Sequence, residues 1–305
     1  MRCVVTGGSG FIGSHLVQKL LDDNHEVSVL DLRKPVQDVK WIKKDILNLD
    51  TFPAGVDVVF HLAAVANARK CAEDSSLCFR TNIIGTINIL KAALKADVKR
   101  VLLASSCWVA GYQDGEVVNE KSLFSLQNIN TIYGAAKLSQ EQLCYSFFGE
   151  YGGPKYTIMR YGIPYGERMW RGLVVRAFME MAERDKIISI MGDGKQSRNF
   201  LYVGDLCEAQ LFALLPVAEN KIYNFVGKEF VTVETLAKEI IKHFPAKVDF
   251  IPQARIEPKL KRIDNWLVEN ELGWVPKTSL KDGISKCVDW WKSLSSEEKK
   301  EEYWV

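Results

Sequence analysis

The sequence predicts an α/β protein built on a doubly wound parallel sheet, followed by a smaller α/β part. Three observations predict it. The chain opens on a strand, a glycine-rich turn and a helix; a second short apolar run ends in a carboxylate; and strand-like and helix-like segments then alternate as far as Phe148.

The first unit is Val4-Val5-Thr6-Gly7-Gly8-Ser9-Gly10-Phe11-Ile12-Gly13-Ser14-His15-Leu16. The apolar run from Cys3 to Val5 is too short for a helix, and apolar residues return at helical spacing at Leu16, Val17, Leu20 and Leu21. In such a turn one glycine takes positive φ, one lets backbone approach a pyrophosphate, and one lets the helix pack close on the strand. Both Gly7/Gly10/Gly13 and Gly8/Gly10/Gly13 fit this dinucleotide fingerprint. The helix N-terminus, at Phe11 and Ile12, offers N–H groups and a partial positive charge to phosphates.

Asp31 stands 18 residues past Gly13, at the end of Val27-Ser28-Val29-Leu30. A carboxylate at that strand tip accepts hydrogen bonds from both adenosine ribose hydroxyls and repels a 2′-phosphate, which points to NAD. Arg33, two residues on, keeps NADP as the minority option.

Beyond Pro35 and the segment Val39 to Ile46, Val56-Asp57-Val58-Val59-Phe60 reads as a buried strand. The small residues in His61-Leu62-Ala63-Ala64 suit a strand end lying against a flat cofactor. His61 is assigned no role, because a histidine at a strand end is more often a hydrogen-bonded structural residue. Leu77 to Ala96 has helical periodicity, and the strand Arg100 to Ala104 delivers Ser105-Ser106 to its carboxyl end, where ligands of open α/β sheets bind.

Tyr133-Gly134-Ala135-Ala136-Lys137 then opens a helix towards Phe148, with Tyr133 and Lys137 on one face. A phenol of ordinary pKa ~10 is a poor base at neutral pH, but an ammonium one turn away and a positively charged nicotinamide both favour its phenolate. Tyr133 would take a proton from a substrate hydroxyl as hydride leaves its carbon, and Ser106 would hold that hydroxyl.

From Tyr165 the element order is mixed: helices over Leu173 to Arg184, Asp205 to Leu215 and Val233 to Phe244, and strands over Ile187 to Met191, Ile222 to Val226 and Val248 to Ile251. The expected division is residues 1–165 for the dinucleotide domain and 166–305 mainly for a substrate domain, with some segments returning to the first. No linker rich in Pro, Gly or Ser separates them.

A length of 305 residues suits one large or two intimate domains, and a net charge of +2 argues against a nucleic-acid partner. The seven cysteines (Cys3, Cys71, Cys78, Cys107, Cys144, Cys207, Cys287) are scattered without a C-x-x-C pair, which predicts reduced thiols in a cytoplasmic protein and no metal site. No apolar run approaches the ~18 residues of a membrane span, and the early first strand leaves no room for a signal peptide.

Taken together these segments resemble the extended short-chain dehydrogenases/reductases that act on nucleotide sugars. The matching stretches are T-G-G-S-G-F-I-G from Thr6, Asp31, Asp45-Ile46, H-L-A-A from His61, N-I-I-G-T-I-N-I-L from Asn82, Ser106, Y-G-A-A-K from Tyr133, Arg160-Tyr161, R-N-F-L-Y-V-G-D from Arg198 and L-G-W-V-P from Leu272. The resemblance implies a Rossmann-type fold, a tightly held NAD and a Ser106-Tyr133-Lys137 active site. It implies that Asp45 and Ile46 flank the adenine, that Leu62, Ala63, Ala64 and Asn82 belong to the cofactor site, that Lys137 binds the nicotinamide ribose and that Tyr161 lies near the nicotinamide. It gives Arg198, with Arg255 as a second candidate, to the diphosphate of a nucleotide-diphosphate sugar, since a guanidinium forks onto phosphate oxygens. It also implies a homodimer paired through the helices Ile83 to Ala96 and Tyr133 to Phe148.

The chain departs from that pattern after Ser106. The 4,6-dehydratases of the family carry an acid pair where Cys107 and Trp108 stand, and the decarboxylases carry a glutamate at the second position. Removing water needs a proton donor, which Cys107 and Trp108 supply poorly, so the expected reaction is epimerisation, most simply at C4. Ala110 replaces the usual tyrosine, and Ile163 replaces an asparagine found in many 4-epimerases, so the pocket differs from that of the glucose/galactose enzymes. A dehydratase, decarboxylase or reductase of the same family is the alternative, ahead of a non-catalytic protein that reads NAD.

Overall fold

The structure is a computed structural model that describes residues 1–110, 117–122, 127, 129–252 and 261–300. The first unit folds as β1 (Arg2–Thr6), α1 (Phe11–Asp22), β2 (Glu26–Asp31), β3 (Lys40–Lys43) and β4 (Val58–His61). Then come α2 (Ala68–Glu73), α3 (Ser75–Phe79), α4 (Gly85–Lys95), β5 (Arg100–Ser106), β6 (Val117–Val118), α5 (Ile132–Tyr151) and β7 (Lys155–Tyr161). The remainder supplies β8 (Ile163–Tyr165), α6 (Val174–Arg184), β9 (Ile187–Met191), β10 (Ser197–Tyr202), α7 (Val203–Phe212), β11 (Lys221–Phe225) and β12 (Phe230–Thr232). It closes with α8 (Val233–Ile241), β13 (Lys247–Ile251), β14 (Arg262–Ile263), α9 (Trp266–Leu272) and α10 (Leu280–Ser293).

Seven strands form one parallel sheet in the order β11-β7-β5-β4-β1-β2-β3. The near-continuous apolar runs of its central strands follow from burial on both faces. Cys3, Val5, Val29, Phe60 and Leu102 pack on one face with Leu16 and Leu20 of α1 and Leu206 of α7. Their neighbours Val4, Leu30, Val59, Val101 and Leu103 pack on the other with Ile89 and Leu90 of α4 and Cys144 of α5. Strand order reverses between β1 and β4, so the crevice for a ligand opens at the carboxyl ends of these two strands.

The later elements, joined by β6 from the first part, build three small sheets, β12-β10-β8, β13-β9 and β14-β6. β11 instead returns to the edge of the main sheet beside β7, with Phe225 opposite Tyr161.

Two local expectations are corrected. The single helix expected from Leu77 to Ala96 is α3, a π-helical turn at Arg80–Ile84, and α4. Asp74 starts α3 by accepting the Leu77 N–H at 2.8 Å, and the wide turn places the Asn82 side chain inward, fully buried.

The cysteines are not all reduced thiols. Cys71 in α2 and Cys78 in α3 form a disulfide with Cα atoms 5.0 Å apart, because α2 and α3 fold back on each other and on α5. The other five cysteines are free and buried. Among the described residues no helix is long and apolar enough to cross a membrane.

The disulfide has a direct check. Protein denatured without reductant should give five titratable thiols against seven after reduction; seven without reductant would remove the crosslink.

Candidate active site

The turn after β1 resolves the choice between the two glycine spacings. Gly7 has φ +70°, so it makes the turn, whereas Gly8 packs against the Val29 side chain of β2. A Cβ on Gly13 would lie 2.1 Å from the Gly7 carbonyl oxygen, so the third glycine lets α1 seat on the turn. Gly10 caps α1 with its carbonyl, accepting the Ser14 N–H at 2.9 Å. The first residues of α1, Phe11 and Ile12, thus stand at the open N-terminal end of the helix, facing the β1–β4 crevice.

Asp31 ends β2 and braces the turn. Its carboxylate accepts the Ser9 and Arg33 N–H groups, each at 3.0 Å, while the Ser9 hydroxyl donates to the Arg33 carbonyl at 2.7 Å. Each carboxylate oxygen keeps lone-pair capacity for a ribose hydroxyl. Arg33 is drawn in through its backbone and remains exposed. Asp45 caps a short 3₁₀ turn through the Leu47 N–H, and Ile46 beside it is buried.

The loop Leu62-Ala63-Ala64 leaves β4 beside Gly7 and is tied down by buried polar groups. Ala63 N–H donates to the Thr6 hydroxyl at 3.2 Å, and Thr6 meets His61 Nδ1 at 2.9 Å. His61 Nε2 meets the Thr86 hydroxyl at 2.9 Å, Thr86 donates to the Asn82 carbonyl, and Gln140 of α5 donates to Thr86. Since the Thr86 proton goes to Asn82, His61 must donate from Nε2 and accept at Nδ1. Burial holds this imidazole neutral, with its pKa pulled down to about 3. Asn82 itself accepts the Val65 N–H at 2.7 Å and donates to the Val65 carbonyl at 3.1 Å. Its amide therefore holds the cofactor-side loop from behind.

Ser106, Tyr133 and Lys137 come together at the carboxyl end of β5. Thr131 caps α5 through the Gly134 N–H at 3.0 Å, which fixes the turn carrying Tyr133 and Lys137. Lys137 is buried, donates to the Ala104 carbonyl at 2.8 Å and lies 5.9 Å from the centre of the Tyr133 ring. Burial pulls its ammonium down to about 8, against the pull of the Glu141 carboxylate. Burial pushes the Tyr133 phenol up to about 12, while its hydrogen bond with Ser106 works the other way. A cationic nicotinamide beside the phenol would favour its ionised form.

Sequence reasoning missed the layer behind these groups. Glu141, one turn beyond Lys137, accepts the Ser105 hydroxyl at 2.5 Å and Arg160 in a forked pair at 2.7 and 2.9 Å. Extending the i,i+4 count from Tyr133 through Lys137 reaches Glu141, so one signal for it was present. Tyr161 is buried next to Arg160, and its hydroxyl donates to Gln210 of α7 at 3.0 Å. Any approach of Tyr161 to a cofactor is therefore through its ring or backbone.

Arg198, on β10, is brought near the Cys107 thiol, which joins the second part of the chain to this end of the sheet. Burial pushes Cys107 up to about 12. Cys107, Ala110, Val118, Val226 and Ile263 form an apolar cluster with Trp108 and Ile163 against it. Arg255 lies outside the described residues.

A model of the NAD dependent epimerase/dehydratase family matches residues 3–225. The chain belongs to the NAD-dependent epimerase/dehydratase family. Membership fits the chain's own residues: Gly7 and Gly13 let the turn, the β4 loop and α1 close on one another where a Cβ would strike backbone, Asp31 keeps acceptor capacity for ribose hydroxyls, and the α1 N-terminus offers N–H groups to phosphates. Its cofactor is NAD. A Methanocaldococcus jannaschii protein with the provisional name UDP-glucose 4-epimerase is 33% identical, over 95% of this chain and 98% of its own. A Bacillus cytotoxicus UDP-N-acetyl-alpha-D-glucosaminuronate decarboxylase is 28% identical, over 97% and 99%. The Bacillus cereus UDP-glucuronic acid 4-epimerase, solved with UDP-glucuronic acid and NAD, is 29% identical with a TM-score of 0.87, over 97% and 100%.

The cradle is testable at Gly13. Gly13→Ala puts a methyl into the Gly7-Gly8 backbone, which has no side chain to move aside, so it should cost about 2 kcal/mol and lower NAD affinity. Unchanged thermal stability and NAD binding would contradict the packing described.

Proposed function

We propose that this enzyme is a nucleotide-sugar epimerase that inverts C4 through a transient keto-sugar. The observation that carries the reading is Ser106, Tyr133 and Lys137 meeting beside the dinucleotide cradle, followed by Cys107 and Trp108 in place of acids. Bound NAD would supply a hydride acceptor that also returns the hydride. Tyr133 takes the proton of the C4 hydroxyl, Ser106 holds that hydroxyl in line, and the buried Lys137 ammonium favours the phenolate and binds the nicotinamide ribose. The keto-sugar turns over in the cleft, Arg198 keeps the diphosphate, and Tyr133 returns the proton as the new C4 hydroxyl forms. A thiol held near 12 is a poor acid at neutral pH and an indole has no acid to give, so loss of a hydroxyl is poorly served.

A decarboxylase is the second reading, favoured by the Bacillus cytotoxicus relative. We further propose a cytoplasmic homodimer paired through the helical segment Ile83 to Ala96 (the end of the π-helical turn with α4) and α5, where Ile84 and Tyr145 are exposed.

The test is incubation with UDP-, dTDP-, GDP- and CDP-sugars without added cofactor, followed by mass spectrometry and NMR. The expected product is an isomer of unchanged mass; loss of water or carbon dioxide would overturn the epimerase reading. Tyr133→Phe should lower turnover by about a thousandfold and leave NAD bound, and a fully active variant would remove Tyr133 from the chemistry.

A further inference from the structure

Three consecutive residues of β5 each hold a different position of α5. Ala104 accepts the Lys137 ammonium, Ser105 donates to Glu141, and Ser106 hydrogen-bonds with Tyr133. Glu141 also reaches the next strand. Its forked partner Arg160 lies directly opposite Ser105, as Tyr161 lies opposite Ser106. The side chains of Glu141 and Arg160 are 5% and 6% exposed, so this carboxylate is closed off from water, with both oxygens bonded.

We propose that Glu141 is a positioning residue: its buried carboxylate pins α5 across the ends of β5 and β7, setting where Tyr133 stands over Ser106, and keeps Lys137 protonated. The inference rests on the Ser106-Tyr133-Lys137 reading of the site.

The geometry carries the positional half. A helix on a sheet can slide along its axis, and apolar packing alone leaves adjacent seatings close in energy, whereas a forked ion pair plus a hydroxyl has one good register. Glu141 bonds the residue just before Ser106 and the residue just before Tyr161, so a slip of α5 breaks these bonds as it displaces Tyr133.

The charge half follows from what surrounds Lys137. Tyr133 and Glu141 flank it on α5 and His61 approaches from β4; Cys144 and Arg160 of β7 stand around Glu141, and Cys107 past the end of β5 stands near Tyr133. His61 is neutral, and the phenol and thiols are protonated at neutral pH, so Glu141 supplies the negative charge among these groups. Burial already pulls Lys137 down to about 8, and removing the carboxylate would take it lower.

The test compares Glu141→Gln, Arg160→Met and the double variant Glu141→Met/Arg160→Met. Glu141→Gln takes the forked carboxylate away from a buried guanidinium and should destabilise the fold, while the double variant removes both charges of the pair and should recover stability. If Glu141 positions and charges the site, both variants lacking it lose about tenfold or more in kcat with KM within about twofold, and the alkaline limb of the kcat profile moves down by about one pH unit. Arg160→Met leaves the carboxylate beside Lys137 and should hold that limb or move it up. NMR titration of Cε-labelled lysine, with the Lys137 signal assigned by Lys137→Met, reads the same displacement without substrate. A double variant with wild-type kcat and Lys137 titration would make Glu141 merely structural and overturn the proposal. A wild-type protein inactive on every nucleotide sugar overturns the functional reading instead, and the lysine titration still decides the role of Glu141 in setting the charge.

Discussion

The contact on which the active end of this molecule depends is the Lys137 ammonium buried against the Ala104 carbonyl. A cation inside a protein is costly unless it is hydrogen-bonded and faced by opposite charge. Here the bond comes from a strand end and the charge from Glu141. Satisfying the cation therefore requires α5 to lie against the carboxyl end of β5, and that is the arrangement that brings Tyr133 to Ser106. The parallel sheet makes it possible, since every strand end of β1, β4, β5 and β7 faces the same crevice.

The cofactor side is governed by a second constraint, the absence of room. Gly7 and Gly13 bring the turn, the β4 loop and α1 within contact distances that exclude side chains. The loop is then fixed by polar groups running from Ala63 through Thr6, His61 and Thr86 to Gln140, one turn past Lys137 on α5. The same helix thus carries the residues proposed for proton transfer and helps hold the loop beside Gly7. Coupled placement of this kind favours transfer between two bound partners, because both are oriented by one rigid body.

What was legible in the sequence was local. Glycine spacing, the carboxylate at Asp31 and the i,i+4 pair at Tyr133 and Lys137 state their steric or electrostatic reason within a few residues. Spacing left Gly7 and Gly8 equivalent, and only the backbone φ separates them. Contacts between elements were not legible: Glu141 and Arg160 are 19 residues apart on different elements, and β11 pairs with β7 across the intervening strands β8, β9 and β10 and helices α6 and α7. The Cys71–Cys78 disulfide follows from how α2 turns into α3, for which a seven-residue separation gives no pattern. Resemblance assigns Asn82 to the cofactor site; the structure shows its amide used on Val65, a detail set by the π-helical turn.

The central claim is that one hydride leaves C4 and returns to it without meeting solvent. The most direct measurement uses a nucleotide sugar that the enzyme converts, deuterated at C4, in ordinary water, with the label in the product located by NMR. The account predicts an isomeric product that keeps its deuterium at C4. Loss of the label to solvent would contradict it.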